Sequence, residues 1–93
     1  MHVYILFSIT ANVHYIGHSE DLYSRLAQHN NGFYSGSHTR IAKDWQLVYS
    51  LKCNSRSQAV AIEKHIKKMK SKFYIQNLIK YPEISNKLLQ KYT

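Results

Sequence analysis

Ninety-three residues suffice for one small domain, and a hydrophobic fraction of 44% with 13% aromatic residues argues against a disordered chain. No apolar run approaches the roughly 20 residues that cross a bilayer, and the lone Cys53 excludes an internal disulfide or a thiolate zinc centre. Thirteen Lys and Arg against five Asp and Glu give a net charge of +8, which favours polyanions, nucleic acid first among them, as partners.

The N-terminal MHVYILFSI has neither a basic leader nor a small-residue cleavage site and reads as a strand. The expectation is a cytoplasmic protein without a membrane partner. In HVYILFS, Val3, Ile5 and Phe7 alternate with Tyr4 and Leu6. Ile9 to Asn12 reads as a loop and VHYIG as the returning strand of a hairpin. Ser19 is the expected N-cap of a first helix, with Glu20 and Asp21 in its first turn, where the helix dipole favours negative charge. That helix should end at Asn31-Gly32. FYSGSHTRIAKD has no period and reads as an exposed loop, and WQLVYSLK as a third strand. Ser55-Arg56-Ser57-Gln58 is a capping box opening a helix to Met69. A further helix over 71–80 follows, and Pro82 opens a short last one in which Ile84, Leu88 and Tyr92 share a face. The order, β-β-α-β-α-α with a short C-terminal helix, describes an α/β (α+β) domain with a three-stranded sheet.

Two helices carry charge where apolar residues are due. Arg25 and His29 fall on the stripe of Leu22 and Leu26, and Glu63 lies among Ala59, Ile62, Ile66 and Met69. Ionised groups in a dry core cost several kcal/mol unless paired. One explanation is a structural Arg25–Glu63 pair. The other is a shared cleft in which Tyr4 and Tyr15 of the hairpin join the three polar groups. Such a set has a chemistry. A guanidinium binds phosphate bidentately. A lone carboxylate, completed by waters and substrate oxygens, holds one Mg²⁺ or Mn²⁺ ion. A phenol or imidazole serves as general base. Together these describe phosphodiester hydrolysis.

VYI at 3–5, YIG at 15–17, Arg25 ten residues after the second tyrosine and the later helical Glu63 resemble the GIY-YIG nuclease superfamily. TR at 39–40, WQLVY at 45–49 and the EK of the second helix resemble its small stand-alone bacterial branch. The resemblance implies a three-stranded antiparallel sheet flanked by helices and metal-dependent cleavage of DNA, as in homing endonucleases, certain restriction enzymes and an excision-repair subunit. Residues 1–79 would form the domain proper and 80–93 a helical extension of it.

Carried over residue by residue, Tyr4 and Tyr15 match the motif tyrosines and Arg25 the arginine on the scissile phosphate. His29 matches a histidine of some branches, Glu63 the single metal-binding carboxylate and Asn77 the late asparagine. His2 replaces the glycine that opens the first motif. His18 stands where several members carry lysine, either touching phosphate or taking part in proton transfer, or else as an exposed loop histidine. Gly17 is expected to let the chain turn from strand into helix near the substrate. His38, Arg40 and Lys43 of the loop, with Lys64, Lys67, Lys68, Lys70 and Lys72, would hold flanking phosphates without reading sequence.

The implied enzyme acts on DNA, branched or single-stranded forms included, with RNA as a further substrate class and weak or structure-selective specificity. A tyrosine base predicts a rate that climbs from neutral into alkaline pH. The alternatives are a catalytically weak or inactive nucleic-acid-binding module with the same fold, and a basic RNA-binding protein with a structural Arg25–Glu63 pair.

Overall fold

The computed structural model describes residues 1–31 and 42–93. The hairpin strands β1 (His2–Ser8) and β2 (Val13–Ser19) pair antiparallel, and β3 (Gln46–Lys52) pairs antiparallel with the free side of β1, giving the sheet order β2-β1-β3. Helix α1 (Leu22–Asn30) lies between β2 and β3 in sequence, and α2 (Arg56–Met69), α3 (Lys72–Lys80) and α4 (Pro82–Lys91) follow β3. This is an α+β fold of order β-β-α-β-α-α-α, the three-stranded antiparallel sheet with helices that the sequence implied.

The alternation in β1 has its reason in two covered faces. Val3 and Ile5 join Ala59, Ile62, Ile66, Ile75, Leu78 and Leu88 from α2, α3 and α4 in one cluster. Tyr4 and Leu6 point the other way, to Trp45, Leu22 and Leu26. β1 is therefore apolar at every position from Val3 to Leu6, the mark of a central strand buried on both sides. The hairpin closes on Asn12, whose N–H donates to the Ser8 carbonyl at 2.8 Å and whose φ of 55° falls in the left-handed region that asparagine tolerates. Asp44 fastens this loop from outside. It accepts from the Ser8 hydroxyl at 2.6 Å and from the Thr10 N–H and hydroxyl at 3.0 Å each, and these bonds hold its carboxyl down at about 2.

Four local expectations change. β2 continues through His18 to Ser19, so Gly17 lies inside a strand opposite Tyr4 and not in a turn. Asp21, not Ser19, caps α1, accepting from the Ser24 N–H at 3.1 Å, so Glu20 and Asp21 precede the first turn. Ser19 instead exchanges hydrogen bonds with the Asp21 backbone, which makes the sharp exit from β2. The capping box at α2 is split: Ser55 accepts from the Gln58 N–H at 3.1 Å, while the Gln58 side chain accepts from Asn54 N–H at 2.6 Å and donates to the Leu89 carbonyl at 3.0 Å. Met69, expected in the core, is 44% exposed because α2 ends beside it at Lys70, held at φ 48°. Among the described residues no helix is long and apolar enough to cross a membrane.

Candidate active site at the edge of the sheet

β2 is an edge strand, and its alternation sends neighbouring residues to opposite helices. Tyr15 and Gly17 face the α1 side with Tyr4, whereas Ile16 and His18 face the α2 side with Val3 and Ile5. Arg25 and Glu63 thus stand on helices that cover opposite faces of the sheet, and β2 is the element between them. The shared cleft expected from the sequence is a rim around this edge, not one pocket on one face.

On the α1 side, the Tyr4 hydroxyl and His29 Nε2 share a buried hydrogen bond of 2.9 Å. The rings of Tyr15 and His29 lie 4.7 Å apart, and those of Tyr4 and Tyr15 6.3 Å. His29 is 1% exposed. Its burial, and after that the nearby Arg25 charge, lower its pKa to about 4, so the imidazole is neutral at pH 7. A histidine easier to protonate unfolded than folded stabilises the fold fully above its unfolded value near 6.5 and loses that contribution as pH falls toward 4. The loss by pH 4 is about 3 kcal/mol. Urea melts of wild type and His29→Gln between pH 7.5 and 4 check this: the wild type should lose stability more steeply, and parallel curves would refute the assignment. His14 and His65 are lowered as well and add to the slope in both proteins.

Gly17 owes its place to space. A Cβ there would sit 2.7 Å from the Tyr4 hydroxyl oxygen, 2.8 Å from its Cζ and 3.1 Å from Tyr15 Cε1. Tyr4 is 3% exposed and tied to His29, so its ring has nowhere cheap to move. Gly17→Ala should therefore cost about 1–3 kcal/mol in chemical denaturation, and should also break the Tyr4–His29 bond, visible as a changed His29 ring signal in NMR.

On the α2 side, the Glu63 carboxylate is 2.8 Å from His18 Nδ1 through Oε1 and 3.1 Å from Lys67 Nζ through Oε2. The Glu63 side chain is 14% exposed, at the rim rather than in a dry core. Its partners are thus His18 and Lys67, in place of the Arg25 partner considered from the sequence. His18 is no loop histidine. It is the last but one residue of β2 and joins Glu63 to a cavity of about 310 Å³ lined by His18, Ser24, Arg25, Gln28 and Arg56, together with Ser19, Glu20 and Asp21. The phenols and Glu63 are outside its wall. Glu63 adjoins it through His18, and the phenols pack on Gly17, the residue before His18.

Arg56 and Gln28 escaped the reading of the sequence. The signal for Arg56 was available: it precedes Glu63 by seven residues, two turns of helix, and so lies on the same stripe. Lys64, Lys67 and Lys68 are exposed on α2. Asn77 is exposed on α3, a helix that packs on β3, α2 and α4, and no described contact joins it to the cluster. His38 and Arg40 fall outside the described residues. Among the described residues no group of three or more His, Cys, Asp or Glu stands ready for a metal.

A guanidinium pair lining a cavity, two phenols beside a neutral imidazole that one of them, Tyr4, hydrogen-bonds, and one rim carboxylate make a site suited to a phosphodiester. The sequence matches the GIY-YIG catalytic domain over residues 1–77, and the chain belongs to that family. This is a nuclease-type domain, whose substrate is nucleic acid. Curated proteins and solved structures give no match to the chain.

Proposed function

We propose that this protein is a divalent-metal-dependent endonuclease that hydrolyses phosphodiester bonds, DNA foremost, with structure-selective or weak sequence preference. The observation that carries the reading is the division of labour along β2: Tyr15 and Gly17 are set toward the helix of Arg25, and His18 toward that of Glu63.

Arg25 would bind two non-bridging oxygens of the scissile phosphate, with Arg56, which lines the same cavity, on a neighbouring one. Tyr4 or Tyr15 would align the attacking water and, as the phenolate, accept its proton. His29, neutral and buried, is suited to orienting the Tyr4 hydroxyl rather than to protonating a leaving group at pH 7.

A carboxylate has about four lone-pair positions. His18 and Lys67 engage one on each oxygen of Glu63, so acceptor positions remain for a single Mg²⁺ or Mn²⁺ that keeps most of its waters. Such an ion supplies Lewis-acid stabilisation of the phosphate and leaving oxygens. His18 fixes the direction of the carboxylate from the strand side, as an orienting partner of a metal ligand does.

The test is incubation with labelled single-stranded, flapped, branched and duplex DNA with Mn²⁺, with Mg²⁺ and with EDTA. Endonucleolytic products are expected in either metal, with the rate rising from neutral to alkaline pH, and EDTA should reduce them to background. Binding without metal-dependent cleavage would instead identify a binding module.

A further inference from the structure

We infer that the groove between α2 and α4 binds a second stretch of nucleic-acid backbone, away from the bond that is cut. The inference rests on nucleic acid being the substrate. Lys64, His65 and Lys68 of α2, Lys91 of α4 and Tyr92 at its C-cap line a space of about 610 Å³ that has no carboxylate in its wall. The three lysines are exposed. The Tyr92 hydroxyl and His65 Nδ1 share a hydrogen bond of 2.8 Å, which ties the C-cap of α4 to α2, and Lys91 Nζ stands 5.4 Å from the Tyr92 ring centre. Burial first, and then the Lys91 and Lys68 charges, lower the pKa of His65, as expected where cations gather without an acid to balance them.

Helix geometry connects this groove to the candidate active site. At about 100° per residue, Lys67 lies roughly 40° around α2 from Glu63, Lys64 roughly 100° and Lys68 roughly 140°. The lysines therefore form an arc that begins beside Glu63 and ends in the groove. A polyanion held at the rim of the sheet would continue along this arc. A phosphate backbone, with regularly spaced charges and bases able to stack on an aromatic ring, fits lysines one helical turn apart beside Tyr92 better than an acidic peptide does.

Fluorescence anisotropy in EDTA, where no cleavage occurs, tests this with a labelled 20-nucleotide single strand and a 20-base-pair duplex over a range of salt. The double variant Lys68→Gln/Lys91→Gln should bind about tenfold more weakly, and its salt dependence should be shallower by roughly 0.7–0.9 per lost phosphate contact. The control Lys80→Gln/Lys87→Gln removes the same charge from exposed positions outside the groove and should leave the slope within about half of that change. If both double variants match, or if polyglutamate but not the oligonucleotide depends on Lys68 and Lys91, the groove assignment is wrong. If the wild type binds neither oligonucleotide, the nuclease reading falls and the groove assignment with it.

Discussion

Glu63→Gln is expected to lower metal-dependent cleavage by roughly 10²–10⁴-fold while moving the melting temperature by no more than about 5 °C. The substitution keeps the shape of the side chain and removes only its charge. What the fold loses is small. Lys67, half exposed, makes an i,i+4 pair with Glu63 at the rim, and such pairs contribute about 0.3–0.5 kcal/mol. His18 loses a charged acceptor but stays held in β2 by pairing opposite Val3. What the chemistry loses is large, because Glu63 is the carboxylate assigned to the cation. Of the other acids, Asp44 is tied to Ser8 and Thr10, Asp21 caps α1 at the cavity wall, Glu20 shares that wall and Glu83 stands in the first turn of α4. A stable protein without activity would locate the cation at Glu63. A fall of more than about 10 °C, with the activity per folded molecule retained, would return Glu63 to a structural role.

The second large effect is expected at Arg25. Arg25→Lys preserves the positive charge and the aliphatic stem, so binding of substrate in the ground state should change by only a few-fold. The planar fork that meets two phosphate oxygens at once is lost, and turnover should fall by roughly 10²–10³-fold, the usual scale for removing one positioned donor from a developing anion. Arg56→Lys should reverse the pattern, with KM rising more than kcat falls, since Arg56 lines the cavity and is assigned to a neighbouring phosphate. Steady-state kinetics on a single labelled substrate separate the two. Equal effects of both substitutions on both constants would contradict the assignment.

The architecture was legible because most elements carry their own physical signature. The alternation of HVYILFS, the polar stop at Asn31 and the Ser55 cap each mark their element, and β1, α2 and α4 begin and end within a residue of expectation. The stripe of Leu22, Leu26 and His29 does face the sheet, with Tyr4 as the partner of His29. What stayed hidden depends on tertiary neighbours. Gly17 reads as a turn residue until Tyr4 is seen across the strand, since the demand on it is for space and not for φ. The choice of Asp21 over Ser19 as cap depends on β2 running two residues beyond YIG. The most consequential miss concerns faces: helical periodicity places Arg25 and Glu63 toward the sheet but says nothing about which side of it each helix covers. The two sides were distinguishable only once Ile5 and Leu6 had been assigned to separate clusters.

In the proposed enzyme, one phosphate would meet Arg25 and a cation held by Glu63 around the edge of β2. A crystal structure of Glu63-intact protein with Mn²⁺ and a short, non-hydrolysable duplex tests it most directly, through the anomalous signal of the metal. One Mn²⁺ is expected at about 2.0–2.3 Å from a Glu63 oxygen, sharing a phosphate with the Arg25 guanidinium, and Tyr4 or Tyr15 beside the water in line with the leaving oxygen. A metal bound away from Glu63, or a backbone lying over α2 and α4 with no phosphate at Arg25, would contradict it.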